Sequence, residues 1–302
     1  MLRRLAAAAI SAAVLFAQPP KAVSLSSPHA ETIYALGAAE QLMGVSTVCV
    51  FPAQIVTDRR AGRLRELGSF TKPDLDAVAA LHPDVVFTSS SFQRKFAEQL
   101  RARGIKVEHF EPHSLEEVFA NIERVGAALD RAEAAKALTA GYRRELAEIK
   151  ARTRALPKVR VYIEVNHEGP WTTGAHSPLE DIIEAAGGEN IFHDHADDGV
   201  FVTTHEEIVR RDPEVILSPV WREAKVGGLD GIIPLASIGA RPGYAATRAV
   251  QNSRVLYYDS ALFKHEGPRQ ILAIRKLAHL LHPEAFENPP GTTPWELGRI
   301  EK

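Results

Sequence analysis

The residues whose types could do chemistry cluster first at His193-Asp194-His195, with Asp197 and Asp198 close behind. Imidazole and carboxylate together are the donor set of a divalent-metal site, and in an extended segment His193 and His195 would share one face. One reading of the chain is therefore a receptor for free metal. The competing reading is a solvated acidic loop, and no metal ligand is assigned on it. Catalytic signatures are missing: there is no Gly-x-Ser-x-Gly, no Walker A loop, no Gly-x-Gly-x-x-Gly and no His-Glu-x-x-His. Cys49, the one cysteine, stands between Val48 and Val50, without the cationic neighbours of an activated thiol. A triad assembled only in three dimensions leaves no fixed order in sequence; its mark would be steady turnover. The chain is read as a binder and not an enzyme.

Other polar and aromatic residues fit binding. Pro28-His29 stands at the mouth of a first helix whose free N–H groups could receive a ligand amide or carboxylate. Trp221 and Tyr244 are loop aromatics after strand ends, where open α/β sheets meet their ligands. Arg269 follows a Gly-Pro turn and suits an amide or carboxylate, or a salt bridge within its lobe.

Elements that could position these residues can be read along the chain. Its 302 residues suit two lobes better than one core. A hydrophobic fraction of 45% with 25% charged residues is that of a soluble globular protein, and a net charge of −2 gives no footprint for nucleic acid. Arg3 and Arg4 precede an apolar run from Leu5 to Phe16 and then Ala17, the pattern of a signal peptide removed after residue 17. No cysteine ends that run, so no lipid-bearing N-terminal cysteine is expected.

An N-terminal α/β lobe is expected over 18–130. Ala22–Leu25 and Asp84–Phe87 read as strands, with Ser27-Pro28 opening the first helix and Gly37 stopping it. A helix over Phe92–Arg103 ends at Gly104, a strand runs Ile105–His109, and Ser114 to Glu117 is a capping box. Residues 131–156 read as one long connecting helix, with Leu138, Tyr142, Leu146 and Ile149 at steps of four, four and three on one stripe. A second α/β lobe over 157–284 has strands at Val159–Val165, Glu214–Ser218 and Val255–Asp259. Its helices are expected at Ser177–Ala186 and Gly267–Leu281. The tail, 285–302, has no core signal. Alternating strands and helices indicate mainly parallel sheets, hence two Rossmann-like lobes joined by one rigid helix.

The halves also match each other. Phe70 to Val86 lies over Val200 to Ile216 without a gap, setting Asp76 on Glu206 and Pro83-Asp84 on Pro213-Glu214. A weaker match sets Glu31, Ile33 and Glu40 over Glu180, Ile182 and Glu189.

Several pieces, in order from about residue 22 to 283, resemble the periplasmic solute-binding proteins of ABC importers that take cobalamin and iron chelates. They are Val23 to Glu31, Tyr34 to Gly37, Met43 to Ser46, Gly68 to Pro73 and Leu81 to Val86. Pro170-Trp171-Thr172-Thr173-Gly174, Ala186 to Phe192, Arg211 to Ile216 and Gly267 to Leu272 continue the series. The similarity leans toward the cobalamin branch. It implies ligand held in a cleft between the lobes, most simply a corrinoid, with a ferric siderophore, haem or other metal chelate as the alternative. No resident cofactor is implied. The partners implied are a dimeric permease with its ATPase, met by a periplasmic monomer. Family ligand positions fall on Phe70 and Trp171. The chain departs where a tyrosine becomes Val48 and where a tryptophan opposite Phe70 becomes Val200, with Phe201 beside it. The family's permease-docking acids fall on Asp76 and Glu206. Both also occupy first helical turns, where acids suit the helix dipole.

Overall fold

The structure is a computed structural model describing residues 18–166, 169–196, 199–220 and 233–289. The signal run lies outside the described residues, as do Trp221, Asp197 and Asp198.

The first lobe runs β1 (Ala22–Ser24), α1 (Ser27–Ala35), β2 (Leu42–Val45), α2 (Ala53–Arg60) and β3 (Arg65–Glu66). It continues with α3 (Leu75–Ala79), β4 (Val85–Ser89), α4 (Ser90–Ala102), β5 (Val107–Phe110) and α5 (Leu115–Ala128). Helix α6 (Ala132–Thr153) follows. The second lobe runs β6 (Val159–Ile163), β7 (Trp171–Thr173), α7 (Pro178–Ala185), β8 (Gly188–Asn190), β9 (Val200–Val202) and α8 (His205–Arg211). Then come β10 (Val215–Val220), α9 (Leu235–Gly239), α10 (Arg248–Gln251), β11 (Val255–Asp259), α11 (Ser260–Lys264) and α12 (Gln270–Leu281).

The first sheet has the order β3-β2-β1-β4-β5 and the second β11-β10-β6-β8, with every pairing within them parallel. A parallel sheet is covered on both faces, so its strands read as continuous apolar runs; β10 is buried at all six positions. The strand order reverses between β1 and β4 in one lobe and between β6 and β10 in the other. A crevice opens at such a point beyond the strands' C-terminal ends. In the first lobe the Ser26 and Ser89 hydroxyls meet across it at 2.6 Å.

Helix α6 holds the lobes together. Its 22 residues span about 33 Å at ~1.5 Å per residue. Leu138, Tyr142 and Leu146 pack on the first lobe's core. Tyr142 and Leu146 also pack on the second, in which Ile149 is itself buried. One apolar stripe thus serves two cores, so a bend in α6 would expose surface in both.

The gap-free repeat extends to backbone detail. Helices α3 and α8 begin at matching positions, as do β4 and β10. Asp74 accepts from Ala77 N, and its counterpart Thr204 accepts from Glu207 N. His82 (φ 48°) and Asp212 (φ 45°) occupy the same left-handed turn. Asp84 then accepts from Lys21 N at 2.8 Å, and Glu214 from Arg160 N at 2.9 Å. The weaker match is not in register with the helix starts: α1 is capped at Ser26 and α7 at Ser177.

Two expectations are corrected. The first helix is capped from Ser26 and already includes Ser27, because Pro28, with its fixed φ, is accommodated in the first turn. The segment after His282 contributes to the core: Phe286 is buried beneath the Arg152 guanidinium, 4.0 Å from the ring centroid. Among the described residues no helix is long and apolar enough to cross a membrane.

Candidate functional site

Between the lobes lies a cavity of about 590 Å³ lined from both sides. The first lobe supplies the N-terminus of α4 and the loop after β5, including Phe92, Glu111 and His113. The second supplies Trp171, Val200 and Phe263 among others. Ser90, which opens α4 on this wall, sits at φ 64°, a conformation that costs a non-glycine residue energy and recurs at ligand sites.

The second lobe's apolar wall is a two-stranded antiparallel ribbon in which Trp171 pairs with Val202, Thr172 with Phe201 and Thr173 with Val200. Alternation in a strand sends neighbours to opposite faces. Trp171, Thr173 and Val200 face the cavity, and Val200 and Val202 are 50% and 54% exposed. Phe92 stands 73% exposed on the facing lobe. Large apolar side chains kept open on both sides of a cleft fit a broad apolar ligand.

Polar groups frame these surfaces. Glu111 Oε1 accepts from Arg94 Nε at 3.1 Å and lies 2.7 Å from His109 Nε2, and Oε2 accepts from Arg94 Nη2 at 2.5 Å, while His109 Nδ1 meets Thr88 at 2.8 Å. Burial raises the Glu111 carboxyl's pKa, but Arg94 and His109 outweigh that and leave it below its usual value. Glu266, half-buried on the opposite wall, is pushed up to about 7 by burial and then by the Glu111 charge. Burial also lowers Lys264 to about 7, and its Nζ donates to Val165 O at 2.7 Å.

The lobes also touch each other directly, through residues outside the cavity lining. Arg269 Nε donates to the buried Glu31 carboxylate at 2.8 Å, and its guanidinium lies 3.9 Å from the centre of the Phe51 ring. A Cβ at Gly267 would stand 3.0 Å from Pro28, so the Gly-Pro turn allows the lobes to approach here. Asp181 Oδ2 accepts from Leu115 N at 2.7 Å.

Of the residues expected at the site, the structure brings Trp171 to the cavity. Phe70 is half-buried outside it; its carbonyl accepts from the buried Gln93, which also donates to Leu25 O. Phe201 is on the wrong face of its strand: it stacks on His195 at 3.6 Å and meets Phe192 edge-on. Tyr244 is fully buried in the second lobe's core, near enough for its hydroxyl to bond His205 Nδ1 at 3.1 Å. That leaves no face for a ligand. His29 is 5% exposed, its ring 4.4 Å from that of Phe110, with both nitrogens unpartnered. Arg269 is engaged by Glu31 and Phe51 as above. Asp76 is exposed and 2.7 Å from Arg103; Glu206 is exposed.

In the histidine segment, Asp194 is held by Arg211 through two nitrogens and His193 bonds to Asn190 O. Among the described residues no group of three or more such side chains could hold a metal. Phe92, Glu111, His113, His176 and Glu266 line the cavity and were missed. Glu111 directly follows β5 and Phe92 is the third residue after β4, so the strand-end rule applied to Trp221 could have found them.

A sequence profile described as "Periplasmic binding protein" matches residues 23–262. An uncharacterised ABC transporter substrate-binding lipoprotein of Bacillus subtilis, YvrC, is 26% identical over 278 residues, 89% of this chain and 82% of that protein. A vitamin B12-binding protein of Vibrio parahaemolyticus is 26% identical over 203 residues, 67% of this chain and 71% of its own length. Among solved structures, the periplasmic heme-binding protein BhuT in complex with two hemes superposes with a TM-score of 0.71 at 27% identity. That match covers 87% of this chain and 99% of the other.

Proposed function

Because the chain belongs to the periplasmic binding protein family, we propose that its cleft receives a corrinoid and delivers it to an importer. At the coarser level it is a substrate-binding protein of an ABC importer. Trp171 carries the finer reading: an indole held at the cavity by a two-stranded ribbon, facing the other lobe's exposed Phe92. A corrin is a broad, mostly apolar plate rimmed with amides, and flat aromatic walls with a few polar groups suit it. The relative named for vitamin B12 supports this choice.

A second reading, haem or a ferric chelate, has its own support. His113 and His176 line the cavity, one from each lobe, and imidazole is an iron ligand; the heme-bound relative points the same way.

Delivery would proceed through Asp76 and Glu206. They occupy equivalent, exposed first-turn positions of α3 and α8, and those helix N-termini lie at the strand ends that frame the cleft. A pseudo-twofold pair of carboxylates suits a dimeric permease with one basic cluster per subunit. The working form is a periplasmic monomer freed of its first 17 residues.

The test is a binding screen on the mature protein with cobalamin, cobinamide, a ferric siderophore and haem, read by tryptophan fluorescence. One-to-one corrinoid binding with quenching is expected. Binding of haem or the siderophore with no response to either corrinoid would overturn the corrinoid reading in favour of the second.

A further inference from the structure

Serines and two histidines, His113 and His176, line parts of the cavity, and one group of acceptors stands out among its polar side chains. Glu111 and Glu266 line it from opposite lobes, and Gln270 lines it at the start of α12. Gln270 is fully buried. Its Nε2 donates, at 3.5 Å, to Phe263 O, and Oε1 has no hydrogen-bond partner within the protein. A buried carbonyl left unsatisfied is costly, so this atom awaits a donor. The Glu111 carboxylate is held charged by Arg94 and His109, and its charge bears on Glu266. The one ammonium on the lining among the described residues, Lys264, is turned to Val165 O and loses its proton readily through burial. It is a poor counter-charge for an anionic ligand.

We propose that Glu111, Glu266 and Gln270 form a hydrogen-bond-acceptor wall that takes a ligand edge of primary amides and turns away an edge of carboxylates. A primary amide presents two N–H donors to such a wall. A carboxylate presents none and adds like charge in a poorly hydrated space. Selection is thus set by the ligand's periphery and not by its central metal. The inference rests on the cavity being the ligand site, and it holds for either a corrin or a porphyrin plate.

Two ligand pairs test it on the mature full-length protein: cobinamide against cobyrinic acid, in which the peripheral amides are carboxylates, and the diamide of haem against haem itself. Measurements at pH 8 keep Glu266 above its value near 7, so that the wall is charged. In whichever pair binds, the amide member should bind at least about tenfold tighter. Glu266→Gln should narrow that ratio, chiefly by improving the carboxylate member. Glu133→Gln, at a 89% exposed side chain on α6, should leave it unchanged and so controls for net charge. If haem and its diamide bind while no corrinoid does, with the diamide preferred, the corrinoid reading falls and the acceptor wall stands. If the carboxylate member binds as well as its amide, or if Glu266→Gln leaves the ratio intact, the wall is overturned. Binding of neither pair overturns both.

Discussion

The two copies of the internal repeat share their scaffold and differ where they meet the cleft. Both cap a short helix through the side chain before it, turn through a left-handed residue, and use the next acid to hold a backbone N–H of the neighbouring strand's edge. Ahead of the helix they diverge. In the first lobe a tight turn, closed by the Gly68–Pro73 bridge, keeps Phe70 half-buried outside the cavity. In the second a β-ribbon presents Trp171 and Val200. Scaffold bonds answer to the fold and are hard to change separately, whereas a loop before a capped helix can change without disturbing the sheet.

The largest expected effect tests the divergent part. Trp171→Ala should weaken ligand binding by roughly 1–3 kcal/mol, or about 5- to 150-fold in Kd. Phe201→Ala, one strand away but on the other face, should lower Tm and leave Kd within about twofold. Equal losses of affinity from both would show that the ribbon's faces are not separated as described. Next comes a shared position. Asp76→Lys with Glu206→Lys should slow uptake by roughly tenfold while ligand affinity stays put, because rim charges govern encounter and orientation. Rising salt should weaken docking of the native protein. Normal uptake by the double variant would leave both acids as first-turn partners of the helix dipole; a collapse of ligand affinity would place them in the cleft.

The buried histidine of the first lobe gives a pH test. Burial first, then the charges of His109 and Arg124, lower His29 to about 3 from 6.5. The unfolded chain therefore takes up this proton before the folded one does. The associated stability is complete above about pH 6.5 and is lost as pH falls toward 3. His29→Leu should reduce the acid loss of stability, by about 2–3 kcal/mol at pH 4.5. An unaltered acid limb in thermal melts would assign that sensitivity elsewhere. The smallest effect concerns the shared turn. His82→Gly and Asp212→Gly each relieve a left-handed residue, and each should change stability by less than about 1 kcal/mol, upward where the side chain makes no contact. Asp212 accepts from Arg248 N and Nε, so its substitution should gain less or turn unfavourable, a difference that calorimetry can read.

Much of this was settled by sequence because it is local. The cap at Ser114 is decided within three residues, the α6 stripe by helical period, and the repeat by punctuation that recurs without a gap. Tertiary structure alone decided which aromatic faced the ligand. Sequence favours Phe201 and marks its neighbour Val200 as a departure, but the register with β7 turns Phe201 inward and Val200 to the cavity. Tyr244 looked like a loop aromatic until the second lobe's core closed over it. Arg269 found Glu31 238 residues away, a pairing that exists only because α6 sets the lobes at one distance. Short-range hydrogen bonds and periodicity are written into neighbouring residues, while contacts across a cleft depend on how two independently folded bodies are oriented. No stretch of sequence holds that orientation by itself.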